Sequence, residues 1–283
     1  MQATAPLQPV IDGLAFAEAP RWHGGKLWFS DMYTHSVPCL DPEGALTTVA
    51  QVPGRPSGLG WLPDGRLLVV SMAERKLLRM EAQGLVEHAD LSQLARFDCN
   101  DMVVDRHGRA YVGNLGFDVF GGAPLQPAAL VMVMPDGQAR TVADGLLFPN
   151  GAVITPDGKT LIIAETFGYR LSAFDVASDG ALSGRRIWAD LGGVMPDGIC
   201  LDAEGAIWLG SPLTSEFLRV CEGGAVTDRI ECAQPAIACA LGGADGRTLY
   251  LVSGPTTRPE AALAARAGRI DAVRVAVAGA GLA

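Results

Sequence analysis

One short pattern recurs six times along the chain and limits what the chain can fold into: an apolar run enters a tight turn ending in glycine, and a second apolar run leaves it. The copies are RWHGGKLWFSD around Gly25, WLPDGRLLVVS around Gly65, VVDRHGRAYVGN around Gly108, ITPDGKTLIIAE around Gly158, LDAEGAIWLGS around Gly205 and GGADGRTLYLVS around Gly246. Their turn glycines are spaced 40, 43, 50, 47 and 41 residues apart, a period typical of repeat architectures. Glycine at the end of the turn supplies the positive φ that a tight hairpin requires, so each copy predicts a β-hairpin. A weaker hairpin follows each one: VPCLDPEGALTTV, LLRMEAQGLVEH, LVMVMPDGQARTV, LSAFDVASDGALSGRRIW, FLRVCEGGAVTDR, and for the last copy a partner in RIDAVRVAVA. Two hairpins make four strands per unit. Six such units predict an all-β fold, a six-bladed β-propeller with four-stranded antiparallel blades around a central channel, because radial repetition lets each sheet bury both faces against its neighbours. Segment 7–11 is expected to supply the outermost strand of the last blade and close the ring, and segment 260–267 to form a loop or short helix. Nothing holds the 3.6-residue period of a long helix, so residues 1–283 read as a single propeller domain rather than two α/β domains.

Composition narrows the function. The chain carries 35 glycines and 18 prolines in 283 residues, above their usual combined share of roughly 12 percent, as a turn-rich fold demands. With 22 Lys and Arg against 31 Asp and Glu, the net charge is −9 and no basic stripe exists, which argues against nucleic-acid binding. The longest charge-free stretch, 119–135, is too short to span a bilayer as a helix and holds Pro124, Pro127 and Pro135, so no transmembrane helix is expected. Segment 1–20 is broken by Pro6, Pro9, Asp12 and Gly13 and lacks a signal peptide's apolar run, and a cytoplasmic location is the expectation. The six cysteines are scattered without a C-x-x-C pair and read as buried thiols.

In a propeller blade the first strand lies nearest the axis, so residues at its start, in the same phase of every repeat, converge on the channel. Eight residues before the turn glycine stand Ser57, Asn100, Asn150, Asp197 and Ala238, and seven before Gly25 stands Glu18. Four of the six positions therefore carry carboxylate or amide oxygens, the donors that a hard divalent cation prefers. Each of these residues alone is ordinary at a strand entry; four in phase predict a metal site. Two carboxylates roughly neutralise a divalent ion and leave coordination positions for water and substrate.

Glu18 in AEAPRW, Asn100-Asp101 in CNDMVVD, Asn150-Gly151 in FPNGAVITPDG and Asp197-Gly198 in MPDGICLDAEGAIWLG resemble the SMP-30/gluconolactonase/LRE family, whose animal members are called regucalcin. The resemblance runs over about residues 12 to 255. It implies a six-bladed propeller holding one divalent metal, liganded by Glu18, Asn150 and Asp197, with Asn100 close to both metal and substrate. Ca2+ leads the candidate ions, followed by Mg2+, Mn2+, Zn2+ and Fe2+. The implied activity is hydrolysis of sugar lactones and related cyclic esters. One departure stands out: Asp98 occupies the position, two before the first Asn, where the family's gluconolactonases usually carry a substrate-contacting Arg. The metal set is unaffected, and the preference for an aldonolactone is not assured.

On this reading a lactone is opened by metal-activated water, with Asp197 as general base. Asn100, Asp98 and Phe117 are the substrate-contacting candidates, Phe117 together with Asp118 and Phe120 because loops at that end of a propeller rim the channel. The partner is a small molecule, and the chain is expected to be a monomer or homodimer. Two other readings use the same fold: the same ion acting on another electrophile, by organophosphate hydrolysis or by non-hydrolytic elimination or cyclisation, and a non-catalytic binding propeller with a structural ion. A serine hydrolase is excluded, since no G-x-S-x-G is present. His23 and His107 read as solvated turn residues, and Trp22 and Trp61 as blade core.

Overall fold

Runs such as Leu67–Ser71 and Thr160–Glu165 are apolar at consecutive positions rather than alternate ones, which suits a strand covered on both faces. The computed structural model describes residues 6–281, so the outermost residues of the expected 1–283 domain lie outside the described residues. In it Leu161 and Ile163 pack toward one neighbouring sheet with Tyr111 and Leu130, while Ile162 and Ala164 pack toward the other with Ile207 and Leu209. The two-residue period of the strand thus splits one apolar run between two cores. The fold has no single central core. Its apolar residues fill the wedges between adjacent sheets, as Val37, Leu59 and Val69 do between the first two blades.

Six four-stranded antiparallel sheets result. Their inner strands are Ala17–His23, Pro56–Trp61, Cys99–Val104, Pro149–Ile154, Ile199–Leu201 and Ala236–Gly242. The second strands are almost wholly buried, and outer strands such as Leu46–Gln51 and Val226–Glu231 are largely exposed. All six repeat glycines have positive φ, between 71° and 84°, which explains why glycine ends each turn. The last sheet runs in the order Ala236–Gly242, Thr248–Ser253, Gly268–Arg274, Gln8–Leu14. The N-terminal strand therefore closes the ring, as segment 7–11 led one to expect, although it extends to Leu14 and pairs with Gly268–Arg274 through two irregularities. Segment 260–267 contributes the seven-residue helix Pro259–Ala265. Among the described residues no helix is long and apolar enough to cross a membrane.

Candidate active site at the channel hub

The repeat phase does place its six residues at one end of the inner strands, and the backbone shows how. In five of the six blades the pairing of inner and second strand slips beside the position in question: Glu18/Arg21, Pro56/Leu59, Cys99/Met102, Pro149/Ala152 and Ala236/Ala238. Such bulges re-aim one side chain away from the ladder, here toward the axis. In the fifth blade the paired strand begins only at Ile199, leaving Asp197 ahead of it. Glycine follows Ser57, Asn150 and Asp197 because neighbouring inner strands nearly touch there. A Cβ on Gly151 would lie 2.6 Å from the Ile199 nitrogen, and one on Gly198 2.3 Å from the Ala238 Cβ. Hydrogen bonds from Gly151 N to Asp197 O (3.2 Å) and from Gly198 N to Ile237 O (2.9 Å) tie these strands together.

The side chains form one hydrogen-bonded arc. Ser57 Oγ donates to Asn100 Oδ1 at 3.3 Å, Asn100 Nδ2 to Asn150 Oδ1 at 3.0 Å, and Asn150 Nδ2 to Asp197 Oδ1 at 2.5 Å. Thr166 Oγ1 accepts a second bond from Asn150 Nδ2 at 3.1 Å and donates to Pro196 O at 2.9 Å, so it braces Asn150 and the residue before Asp197 together. Glu18 is buried, and its Oε2 accepts only from the Ala19 amide, at 3.1 Å, among the described residues. Ala238 and Ser57 complete the ring as small, buried residues.

The electrostatics are unbalanced. Burial, then the charges of Asp197 and Asp101, push the Glu18 carboxyl well above its ordinary range, against the Ala19 amide and Arg21. Burial, helped by Asp101, lifts Asp197 to about 7 despite the Asn150 hydrogen bond. The nearest guanidinium does not relieve this, because Arg21 is engaged by Asp101 (2.7 Å) and by Met102 O (2.8 Å). Neither Glu18 nor Asp197 enters an ion pair among the described residues. Two interacting carboxyls without a counter-charge, Glu18 buried and Asp197 partly buried, are what a divalent cation would stabilise. No group of three or more His, Cys, Asp or Glu stands at metal-holding distance among the described residues; the further donors available are the amides of Asn100 and Asn150.

Around this hub the structure adds residues that repeat counting had not singled out. Asp98 is not alone: Arg55, from the neighbouring blade, forms an ion pair with it. The two are equivalent in phase, each two residues before its hub residue, and so is Phe148 before Asn150. Arg55 and Phe148 both adopt left-handed backbone, with φ of 69° and 59°, a conformation non-glycine residues seldom hold away from functional or tightly braced positions. Phe148 packs on Phe167 (5.4 Å between ring centroids), and Phe167 on Phe117 (5.9 Å). Phe117 is half-buried, while Phe120 in the same loop is exposed.

A second set lies at the end of each second strand, six or seven residues after the turn glycine: Asp31, Ser71, Asn114, Glu165, Ser211 and Ser253, all buried. Asp31 accepts from the Phe16 amide (2.9 Å) and Glu165 from the Leu147 amide (2.9 Å), so each anchors the segment leading to a hub residue. Burial alone would push the Glu165 carboxyl up, but hydrogen bonds from Arg170, Ser172, Leu147 and Arg185 outweigh it and hold the group below the usual glutamate range. Glu165→Ala is expected to cost about 2–4 kcal/mol of unfolding free energy at neutral pH, measured by chemical denaturation. Because the folded-state pKa is depressed, that contribution is present above the ordinary glutamate titration and is lost as pH falls through the folded value. The gap between parent and variant should therefore narrow on acidification.

A cavity of about 630 Å3 lies toward the turn end of the channel and is lined by none of the four candidate ligands. It begins with Pro20 and Arg21, just beyond Glu18, and includes Trp22, Trp61, Cys200 and Cys239. Two of its guanidinium groups are paired, Arg21 with Asp101 at 2.7 Å and Arg109 with Asp105 at 2.6 Å, whereas the hub carboxyls Glu18 and Asp197 are not. Two expectations change at this end. His23 is not a solvated turn residue but stacks on Trp61 at 4.0 Å. The cysteines are not all buried thiols: Cys200, Cys221 and Cys232 are only partly buried, and Cys200 Sγ lies 3.6 Å from Cys239 Sγ across adjacent blades.

Comparison with known proteins follows the same lines. A family profile described as SMP-30/Gluconolactonase/LRE-like region matches residues 16–254. A 6-deoxy-6-sulfogluconolactonase from Pseudomonas putida is 28% identical over 286 residues, covering 96% of this chain and 94% of its own. Among solved structures, a calcium-binding regucalcin from Agrobacterium tumefaciens superimposes with a TM-score of 0.81 at 22% identity, covering 98% of this chain and 95% of that one. A Xanthomonas campestris gluconolactonase gives 0.75 at 21% identity, covering 97% and 99%.

Proposed function

The chain belongs to the SMP-30/Gluconolactonase/LRE-like family, and from that premise we propose that it is a divalent-cation-dependent lactonase. The observation that carries this reading is the hub itself: the buried Glu18 and the partly buried Asp197 without a counter-cation, with the amides of Asn100 and Asn150 beside them. Glu18, Asn150 and Asp197 would hold the ion, with Asn100 beside them. Their oxygens suit Ca2+ first, and Mg2+, Mn2+, Zn2+ or Fe2+ as alternatives. When bound, the ion supplies Lewis acidity to a substrate carbonyl and increased acidity to water.

The chain's own groups supply the rest. Asp197 keeps partial exposure to the channel and is placed to take a proton from the water that attacks the lactone carbonyl carbon. The water oxygen bonds to that carbon, the ring C–O bond breaks, and the departing ring oxygen receives the proton, giving a hydroxy acid. Asn100, held by Ser57, orients the carbonyl. Thr166 keeps Asn150 in place.

Chelator-treated protein, reloaded singly with each of the five ions, is to be assayed on five- and six-membered lactones and one phosphotriester. Lactone turnover should vanish on stripping and return with one or more ions. Undiminished lactone hydrolysis after complete metal removal, or turnover of the phosphotriester alone, would overturn the assignment.

A further inference from the structure

The mouth of the hub carries a mainly apolar arc. On the side of blades three and four stands the continuous half-buried aromatic wall Phe148, Phe167 and Phe117. Phe148 lies two residues before Asn150, and Phe167 follows Thr166, which holds Asn150. Phe117 follows Leu115, whose N donates to Asp98 O at 2.9 Å, so the wall and Asp98 meet in blade three. Beyond the wall, loops at this same end of the blades expose Phe120 (58%), Leu125 (47%) and Leu213 (62%), so the apolar surface continues outward.

Several polar groups near the mouth already have partners. Arg55 is paired with Asp98. Asn114 donates to Ala129 O (2.7 Å) and accepts from Gly116 N (3.1 Å). The Tyr33 hydroxyl donates to Thr257 O, and Ser71 Oγ to Glu74 at 2.6 Å. A polyhydroxylated ring entering here would give up hydrogen bonds to water for each hydroxyl, and Asn114, Tyr33 and Ser71 already have partners, which leaves chiefly the remaining Arg55 N–H groups to replace them. An apolar chain loses nothing of that kind and gains about fourfold in affinity per methylene buried.

We propose that the substrate is a lactone bearing an alkyl or aryl arm, which lies along the Phe148–Phe167–Phe117 wall while the ring carbonyl reaches the hub. This rests on the lactonase reading and specifies its substrate class. The Arg55–Asp98 pair, which joins blades two and three, ties up part of the charge that would otherwise meet a sugar's hydroxyls.

The test uses Ca2+-loaded full-length protein and three six-membered lactones: δ-valerolactone, which has no arm, δ-decalactone, which carries a pentyl arm on the same ring, and D-glucono-δ-lactone. The pentyl-bearing ring should exceed the bare ring by at least 10-fold in kcat/KM, chiefly through KM, and should exceed gluconolactone as well. Phe117→Ala and Phe167→Ala should each reduce the ratio of decalactone to valerolactone by at least fivefold, and Phe167→Leu, which keeps apolar bulk, should retain most of it. Preference for gluconolactone, or variants that lower both lactones in proportion, would overturn the proposal. If none of the three is turned over with Ca2+ or with any of the other four ions, the lactonase reading falls on its own account, and the arm is then judged by calorimetry with the ring-opened acids. Tighter binding of 5-hydroxydecanoate than of gluconate, weakened in Phe117→Ala, sustains an apolar-arm site; equal binding or none removes it.

Discussion

Asp197→Asn is expected to lower kcat/KM for lactone hydrolysis by about 1,000-fold, the usual scale for loss of a positioned general base. The substitution nearly conserves shape, and its side-chain oxygen can still accept the bond from Asn150 that now spans 2.5 Å. What it removes is a negative charge buried near Glu18, which is why the effects on activity and stability should oppose each other. Metal-free Asp197→Asn should unfold at higher denaturant concentration than the metal-free parent, because one of two like charges in a water-poor site is gone. A residue kept for stability would behave in the reverse way. Retained turnover in the folded variant would remove Asp197 from the mechanism.

Gly198→Ala should have the largest structural effect of any single methyl added at the hub. The new Cβ would sit 2.3 Å from the Ala238 Cβ and 2.7 Å from its Cα, and the position is held on both sides, by Gly198 N to Ile237 O (2.9 Å) and Gly210 N to Gly198 O (3.0 Å). The inner strands of blades five and six must part to admit it. Overpacking of this kind costs about 1–3 kcal/mol or somewhat more, roughly 2–4 °C in Tm per kcal/mol for a chain of this size. Because Asp197 immediately precedes it, a displacement near 1 Å should also lower kcat by about 100-fold. Adding Ala238→Gly removes one of the two clashing groups and should recover part of both losses. Failure of the double variant to improve on the single one would show that the strand contact is not the cause.

Much of this was legible from one-dimensional spacing. Glu18, Asn100, Asn150 and Asp197 emerge from counting back from turn glycines because a propeller converts sequence phase into radial position, and each blade repeats the same strand order. The same count, carried forward, would have found Asp31 and Glu165. It would also have placed Arg55 beside Asp98, since the two share a phase in adjacent blades. Cys200 and Cys239 were hidden for the opposite reason: they stand three and one residues past their hub positions, and their contact depends on local strand offset rather than on phase. The stacking of His23 on Trp61 was hidden similarly, because it joins two different blades across the channel's turn end. Side-chain direction at a bulge is not encoded in spacing.

The pairing of Gln8–Leu14 with Gly268–Arg274 makes closure of the ring a long-range event. The two strands that must meet stand more than 250 residues apart in the sequence. Until they anneal, Gly268–Arg274 presents an open sheet margin, and joining them is a slow step of the kind that exposes intermediates to aggregation.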